Sequence, residues 1–548
     1  MNKISGEILL TFYLELCATV CFLQAAFAIR MGSSSSSFCQ CDFPEQCIQD
    51  DLRNYRAAVV EYNCPDNDLS FFNQSVVDYM SANVAAYEDF VKIAAENMVD
   101  IIIFPEYGVT SLNLPADRGS ARPYFQIVPA AAGKIAPCDD FSDEQPDQII
   151  TRKLSCLART GNIYLIANIA EVEACDAETD PECPNDKEYF FNTAVAFDRN
   201  GSVIARYRKI NLYNEPVMNA PPKKDVVSFH TDFGVEFGLF TCFDIMFEHP
   251  MIDLHRQGIR DLISPTAWVD SFPTFLAPEI QSGISKGLGV NLLASGYHNP
   301  PSYTLGSGIF STTDIFAYTT QATISRIVIS DVTSPPPSED QNSPSTFQAV
   351  IPPLNVKVVE EKWSFLKESF ANFDTILLEA NEGSASVCQN EFCCHLDYEI
   401  EFKKLGPVFR LGAFSGEVFI QGGKYSWMAQ TCVVLFCSSP EDLNSCSDGS
   451  TIHTFKNSSN GELANVEDRR ETFLKFTLRS DVFSSPYIYP FALSSSLQLL
   501  IPSKVDFKSY PDNYSGKNYS AFLNFTEPGK MVYASLYARV YENNLGNE

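Results

Sequence analysis

Apolar positions along this chain alternate between two periods. RAAVVEY (56–62) is a β-like run. Across 75–98, Val76, Val77, Met80, Val84, Tyr87, Phe90, Val91, Ile93 and Ala94 fall at helical spacing. VDIIIFP (99–105) then reads as a buried strand stopped by Pro105. Strand, helix, strand is an α/β pattern, and it repeats. A helix is expected over 148–159, and NIYLIANIA (162–170) reads as a strand. FFNTAVAFD and SVIARYR flank Arg199-Asn200-Gly201, a hairpin turn in which Asn-Gly readily takes positive φ. VEFGLFTCFDI reads as a strand with a helix after it near 250–257. DLISPTAW, a helix over 273–287 and GVNLLAS repeat the unit, and ATISRIVISDV closes the region.

The pattern divides the chain. Residues 1–28 read as a secretory signal: Lys3, an apolar stretch from 8 to 28, and Ala26-Phe27-Ala28 as a small-x-small cleavage site. Glu7 and Glu15 within that stretch leave an uncleaved anchor as the rival reading. A leader, 29–54, carries a serine run and Cys39, Cys41 and Cys47. The α/β domain is expected over 55–332. Six prolines in residues 333–353 mark a linker or an extended wrapping segment. Residues 354–548 hold six cysteines and many short alternating runs, such as EVFIQGG, TCVVLFC, LQLLIP and VYASLYARVY. They predict a β-rich, disulfide-stapled second domain.

Composition narrows the setting. The 548 residues, 45% hydrophobic, can fill two or more cores, and the formal charge of −29 argues against nucleic acid or an anionic membrane as partner. Six N-x-S/T sequons stand at Asn73, Asn200, Asn457, Asn513, Asn518 and Asn524. The polar end YENNLGNE predicts no lipid anchor. The expectation is a secreted, extracellular glycoprotein. Of 17 cysteines, Cys17 and Cys21 leave with the signal, so 15 remain and at least one thiol is left over. Cys242 stands alone in sequence, whereas nearly all the others fall in close groups, so it is the natural odd thiol.

Cys242 also stands where an α/β sheet gathers ligands, at the carboxyl end of a strand. Glu106, directly after the apolar strand in DIIIFPEYG, lies at the same kind of edge. Burial beside Phe104 and Tyr107 would suit it to proton transfer. Lys209 ends the second hairpin strand in YRKINLYNE, where an ammonium could stabilise a thiolate and an oxyanion. Taken singly, each has a blander reading: a buried cysteine, a solvated turn glutamate, a surface lysine.

Other motifs are weaker. Gly283-Ile284-Ser285-Lys286-Gly287 fits G-x-S-x-G, but a nucleophile elbow needs a strand before it, and FLAPEIQ has helical spacing. Asp66-Asn67-Asp68 lacks the glycine and final glutamate of a calcium loop. Cys393-Cys394-His395 lacks the paired spacing of a zinc site. No metal or cofactor is expected.

In order and context, Glu106 after FP, Lys209 in Y-R-K and Cys242 in T-C-F-D resemble the nitrilase superfamily. The resemblance is strongest to its vanin/biotinidase branch, and it extends to FNTAVAFDRNG, PTAW, GSGIF and LYARVYE. It implies a nitrilase-type αββα sandwich followed by a β-rich C-terminal domain. It implies Cys242 as nucleophile, Glu106 as proton acceptor and donor, Lys209 over the oxyanion, and Glu215 supporting Lys209 and substrate. Substrate contacts are implied for Tyr107, Phe243, Trp268, Tyr297 and His298. Tyr297-His298-Asn299 departs from the His-rich segment of vanins. The implied reaction is amide hydrolysis, of pantetheine to pantothenate and cysteamine or, alternatively, of biocytin. A non-catalytic secreted binding glycoprotein on the same fold is the reading outside enzymology.

Overall fold

The computed structural model describes residues 53–64, 75–311, 315–319, 325–335, 364–401, 408–447, 472–495, 497–500, 504–511 and 518–541. The expected signal, nearly all of the leader and most of the linker lie outside these residues, as do Asn73, Asn457 and Asn513.

In chain order the first strands are β1 (Asn54–Glu61), β2 (Ile101–Ile103), β3 (Tyr164–Ala174), β4 (Glu188–Phe197) and β5 (Val203–Arg208). They are followed by β6 (Val227–His230), β7 (Glu236–Leu239), β8 (Asp261–Thr266) and the two-residue β9 (Ser271–Phe272). Next come β10 (Asn291–Gly296), β11 (Ser307–Phe310), β12 (Ile315–Thr319) and β13 (Arg326–Thr333). They form two six-stranded sheets, in the orders β13-β1-β2-β3-β4-β5 and β12-β11-β10-β8-β7-β6. Helices α1 (Val76–Glu96) and α2 (Ile149–Gly161) cover the first sheet, and α3 (Ala277–Leu288) packs on the second. This is the αββα sandwich.

The continuous apolar runs follow from burial on both faces of a strand. Ala57, Val59, Ile101 and Ile103 point between the sheets, while Ala58, Val60 and Ile102 point at Met80, Val84 and Tyr87 of α1. A capping box starts α1: Ser75 Oγ accepts the Asp78 N–H at 3.1 Å, and the Asp78 carboxylate accepts the Ser75 N–H. The Arg199-Asn200-Gly201 turn differs from expectation in that only Gly201, at φ 81°, is left-handed. Asp198 Oδ1 accepts the N–H groups of Asn200 and Ser202, which holds a longer turn, and β4–β5 shift register at Ala196/Phe197. Asn200 itself is exposed.

The second half begins with β14 (Leu366–Lys367), which pairs in parallel with β9. Ten antiparallel strands then form one sheet system. They are β15 (Asp374–Leu377), β16 (Glu382–Gln389), β17 (Phe392–Glu401), β18 (Val408–Ile420), β19 (Tyr425–Cys437), β20 (Thr472–Phe483), β21 (Ile488–Ser494), β22 (Val505–Pro511), β23 (Tyr519–Phe525) and β24 (Gly529–Arg539). Disulfides Cys388–Cys393, Cys394–Cys432 and Cys437–Cys446 staple it, and Cys138–Cys156 and Cys175–Cys183 staple the first half. Asn518 is half-buried, and Asn524 Oδ1 accepts the Thr477 hydroxyl at 2.9 Å. LQLLIP departs from its strand-like pattern: Leu499 makes only an isolated bridge to Leu493.

The G-x-S-x-G match has a packing explanation. Gly283 and Gly287 sit on α3 where β21 crosses it. A Cβ on Gly283 would strike the Phe491 ring, and one on Gly287 would lie 2.5 Å from the Ile488 carbonyl oxygen. Ser285 is fully buried and donates to the Val290 carbonyl at 2.6 Å. Gly283→Ala should cost about 1–3 kcal/mol of stability through overpacking, seen as a lowered Tm. Ser285→Ala should leave the protein's activity unchanged, and loss of activity in a folded Ser285→Ala protein would revive the serine reading.

Candidate active site

Three chain crossings bring the chemistry together. Beyond β2 the chain turns at Pro105, and Glu106 is 1% exposed. Tyr107, at φ 58°, directs the chain away, with its N–H held by Asn168 Oδ1 at 3.0 Å. Lys209 directly follows β5, its N–H bonded to the Asn192 carbonyl of β4 at 2.8 Å, and its side chain is buried. Past β7, Thr241 and Asp244 form a capping box around a short 3₁₀ turn that starts at Cys242. Cys242 is held at φ 49°, a backbone region unfavourable for a residue with a side chain. The capping box and the bonds to Asp244 over-determine that conformation.

Glu106 collects donors on both oxygens. Lys209 Nζ lies 2.8 Å from Oε1, Asn192 Nδ2 donates to the same oxygen at 2.7 Å, and the Ala267 N–H donates to Oε2 at 2.8 Å. Glu215 flanks Lys209 from the other side, with Oε2 3.0 Å from Nζ. The Tyr213 N–H donates to Glu215 Oε2 at 2.9 Å, and Asn192 Nδ2 and the Tyr107 hydroxyl donate to Oε1. Burial alone would lower the Lys209 pKa, but the charges of Glu106, Glu215 and Cys242 outweigh it and hold the ammonium protonated well above its usual range.

Burial pushes the Cys242 thiol up, and the Glu106 charge adds to this. Lys209, the Thr266 hydroxyl and the Ala267 N–H oppose without prevailing. The resting group is therefore a thiol, and a thiolate forms only if a base takes the proton. Among the described cysteines Cys242 is outside every disulfide, with its side chain buried at the head of the cleft. Asp244 welds the turn to the lysine strand. It accepts the Tyr207 hydroxyl at 2.7 Å, the Asn211 N–H at 2.9 Å and the Thr241 N–H at 3.0 Å. Burial pushes its carboxyl up to about 6.

Cys242 opens into a cavity of about 390 Å³. Phe243 and Trp268 line it together with Tyr213 and Phe275. The opposite wall comes from the second half of the chain, with Glu368, Phe370, Phe414 and Trp427. Loop and hairpin are clasped: the Asn214 N–H donates to the Tyr425 hydroxyl at 2.9 Å, and Gln421 Nε2 donates to the Tyr213 hydroxyl at 2.6 Å.

The other implied substrate contacts lie elsewhere. Tyr107 turns its hydroxyl inward to Glu215. Tyr297 is buried, donating to the Cys64 carbonyl at 3.2 Å. His298 Nδ1 is 2.7 Å from Glu61 Oε1 in the sheet core. None of these three lines the cavity. The strand end of Tyr297 and His298 is filled by core packing, which a linear pattern does not distinguish from a cleft, whereas Tyr107 is engaged in holding Glu215. Asn192, Asn168 and Asp244 are polar members that the residue-by-residue reading passed over. Two of them stood in segments with the family's pattern, Asn192 in FNTAVAFD and Asp244 in T-C-F-D. Among the described residues there is no cluster of side chains fit to hold a metal, and no helix is long and apolar enough to cross a membrane.

Residues 56–273 match the family model described as Carbon-nitrogen hydrolase, and residues 364–544 match the Vanin C-terminal domain. The chain is 32% identical over 472 residues to the pantetheinase of Bos taurus, covering 84% of each. It is 31% identical to the pantetheinase of Homo sapiens, over 95% of this chain and 93% of that one. It is 30% identical to the biotinidase of Homo sapiens, over 95% and 94%. The chain belongs to the vanin/biotinidase branch of the nitrilase superfamily, and it is a carbon–nitrogen hydrolase acting on amides.

Proposed function

We propose that this protein is a secreted pantetheinase-like amidase working through a thioacyl intermediate on Cys242. The observation that carries the mechanism is a buried thiol that opens on an amide-sized cavity and feels the charges of the buried Glu106–Lys209 pair. Glu106 takes the thiol proton and the sulfur attacks the amide carbon. The Lys209 ammonium and backbone N–H groups near Phe243 hold the oxyanion. Collapse breaks the C–N bond as Glu106 returns its proton to the leaving amine. Glu106 then takes a proton from water, whose oxygen attacks the thioester, and the acid leaves with the thiol restored. Glu215 keeps Lys209 in place throughout. One oxyanion donor of this kind contributes about 3–4 kcal/mol to the transition state.

Secretion is supported by the apolar start of the chain and five disulfides in the described residues. The relatives divide between pantetheinases and biotinidases at nearly equal identity, which makes biocytin the second substrate to try. The test is purified protein offered pantetheine and biocytin, scored by release of cysteamine thiol or of biotin. Thiol release alone is expected, and biotin release with pantetheine untouched would reverse the assignment. In the same preparation, iodoacetamide should alkylate Cys242 and abolish turnover in parallel. Full activity after complete Cys242 alkylation would remove it as the nucleophile.

A further inference from the structure

The cavity wall contributed by the second half of the chain holds one carboxylate withdrawn from solvent. Lys367 and Glu417 also line the cavity but are exposed, whereas Glu368 is half-buried. Its Oε1 accepts the N–H groups of Thr274 at 2.9 Å and Phe275 at 3.1 Å, and the Thr274 and Ser271 side chains also hydrogen-bond the carboxyl. It makes no ion pair among the described residues. The charge of Glu368 acts on Glu279 of α3, which is 1% exposed with both carboxyl oxygens lacking a hydrogen-bond partner. Tyr533 of β24 faces both carboxyls and Tyr537 faces Glu368, and the Tyr533 hydroxyl donates to Thr274 Oγ1 at 2.9 Å. Burial pushes the Glu368 carboxyl up to about 7. The leading charges acting on the Cys242 thiol are those of Glu106 and Lys209.

A carboxyl that lines a cavity without a cation beside it has lone pairs left for a further donor, such as a substrate O–H or N–H. We propose that Glu368 is a specificity-determining residue, selecting acyl groups that carry a hydrogen-bond donor away from the scissile carbonyl. This rests on the amidase reading of the site. Both candidate acyl groups qualify in chemistry, one through hydroxyls and the other through ureido N–H.

The test compares pantetheine with an analogue of equal length lacking both hydroxyls, or biotinyl with pentanoyl amides if biocytin is the substrate. Wild type should favour the donor-bearing substrate about tenfold or more, chiefly through KM. Glu368→Gln keeps an oxygen for the Thr274 and Phe275 N–H groups and places an NH2 group at the other position, so the preference should fall below about threefold. The rate of Cys242 alkylation should not change. In wild type, KM for the donor-bearing substrate should fall as pH rises through about 7, because the carboxylate accepts better than the acid. Glu368→Gln should flatten that trend, which a merely structural Glu368 would not predict. An unchanged preference in active Glu368→Gln overturns the proposal. Equal use of both substrates by wild type does so without any mutant. Wild type that hydrolyses no member of either pair sinks the parent reading instead.

Discussion

Glu106→Gln should lose turnover by about three orders of magnitude or more, in acylation and deacylation alike. The size of the loss follows from the two roles proposed for this one carboxylate, since residues acting as a unit fail together. The geometry adds a second cause. Lys209 Nζ, Asn192 Nδ2 and the Ala267 N–H all donate to Glu106. An amide in its place must turn its NH2 toward one of those donors, so part of the network breaks whichever way it lies. Glu106→Asp keeps the charge and should be intermediate, because the shorter side chain misses the reach that proton transfer requires. Single-turnover kinetics with a chromogenic pantothenamide resolves the steps. A normal acylation burst in Glu106→Gln would move the first-step base elsewhere, with Glu215 next in line.

The fold was legible where one strand serves two cores. Residues 57–60 and 101–104 are apolar at every step because each is packed from both sides, and α1 carries its own start signal in Ser75 and Asp78. The position of Glu106 was legible for the same reason, since a polar residue just after a buried strand has nowhere to go but the sheet edge. Lys209 and Cys242 were legible as residues that follow strands β5 and β7. What the sequence could not display was who meets whom across the chain. Asn192 joins Glu106 and Glu215 from the middle of a strand that reads only as apolar. Asp244 is buried by Tyr207 and Asn211, more than thirty residues upstream. The β18–β19 hairpin read as alternating strand, yet it closes the cavity, because Tyr425 and Gln421 grip residues 213–214. Tyr297 and His298 show the converse: a strand end whose partners, Cys64 and Glu61, turn it into core.

Lys209→Ala should lower kcat about 10²-fold or more, and it should do so in a folded protein. Two effects combine. The oxyanion loses its nearest cation, which is the catalytic loss. The ground state changes too, because Glu106 and Glu215 now face each other without the ammonium that stood 2.8 and 3.0 Å from them. Lys209 is also one of the groups that lowers the Cys242 pKa, so its removal should slow iodoacetamide alkylation of Cys242 at fixed pH. That second readout separates the electrostatic role from mere loss of substrate fit, which would leave the free thiol's reactivity unchanged. Lys209→Arg restores the charge but should not restore turnover. The position is 2% exposed, and a planar guanidinium cannot occupy a site shaped for a compact ammonium between two carboxylates. Circular dichroism and Tm confirm folding in both variants. Near-normal kcat in Lys209→Ala, with alkylation at the wild-type rate, would contradict the oxyanion assignment and leave Lys209 as a structural counter-ion.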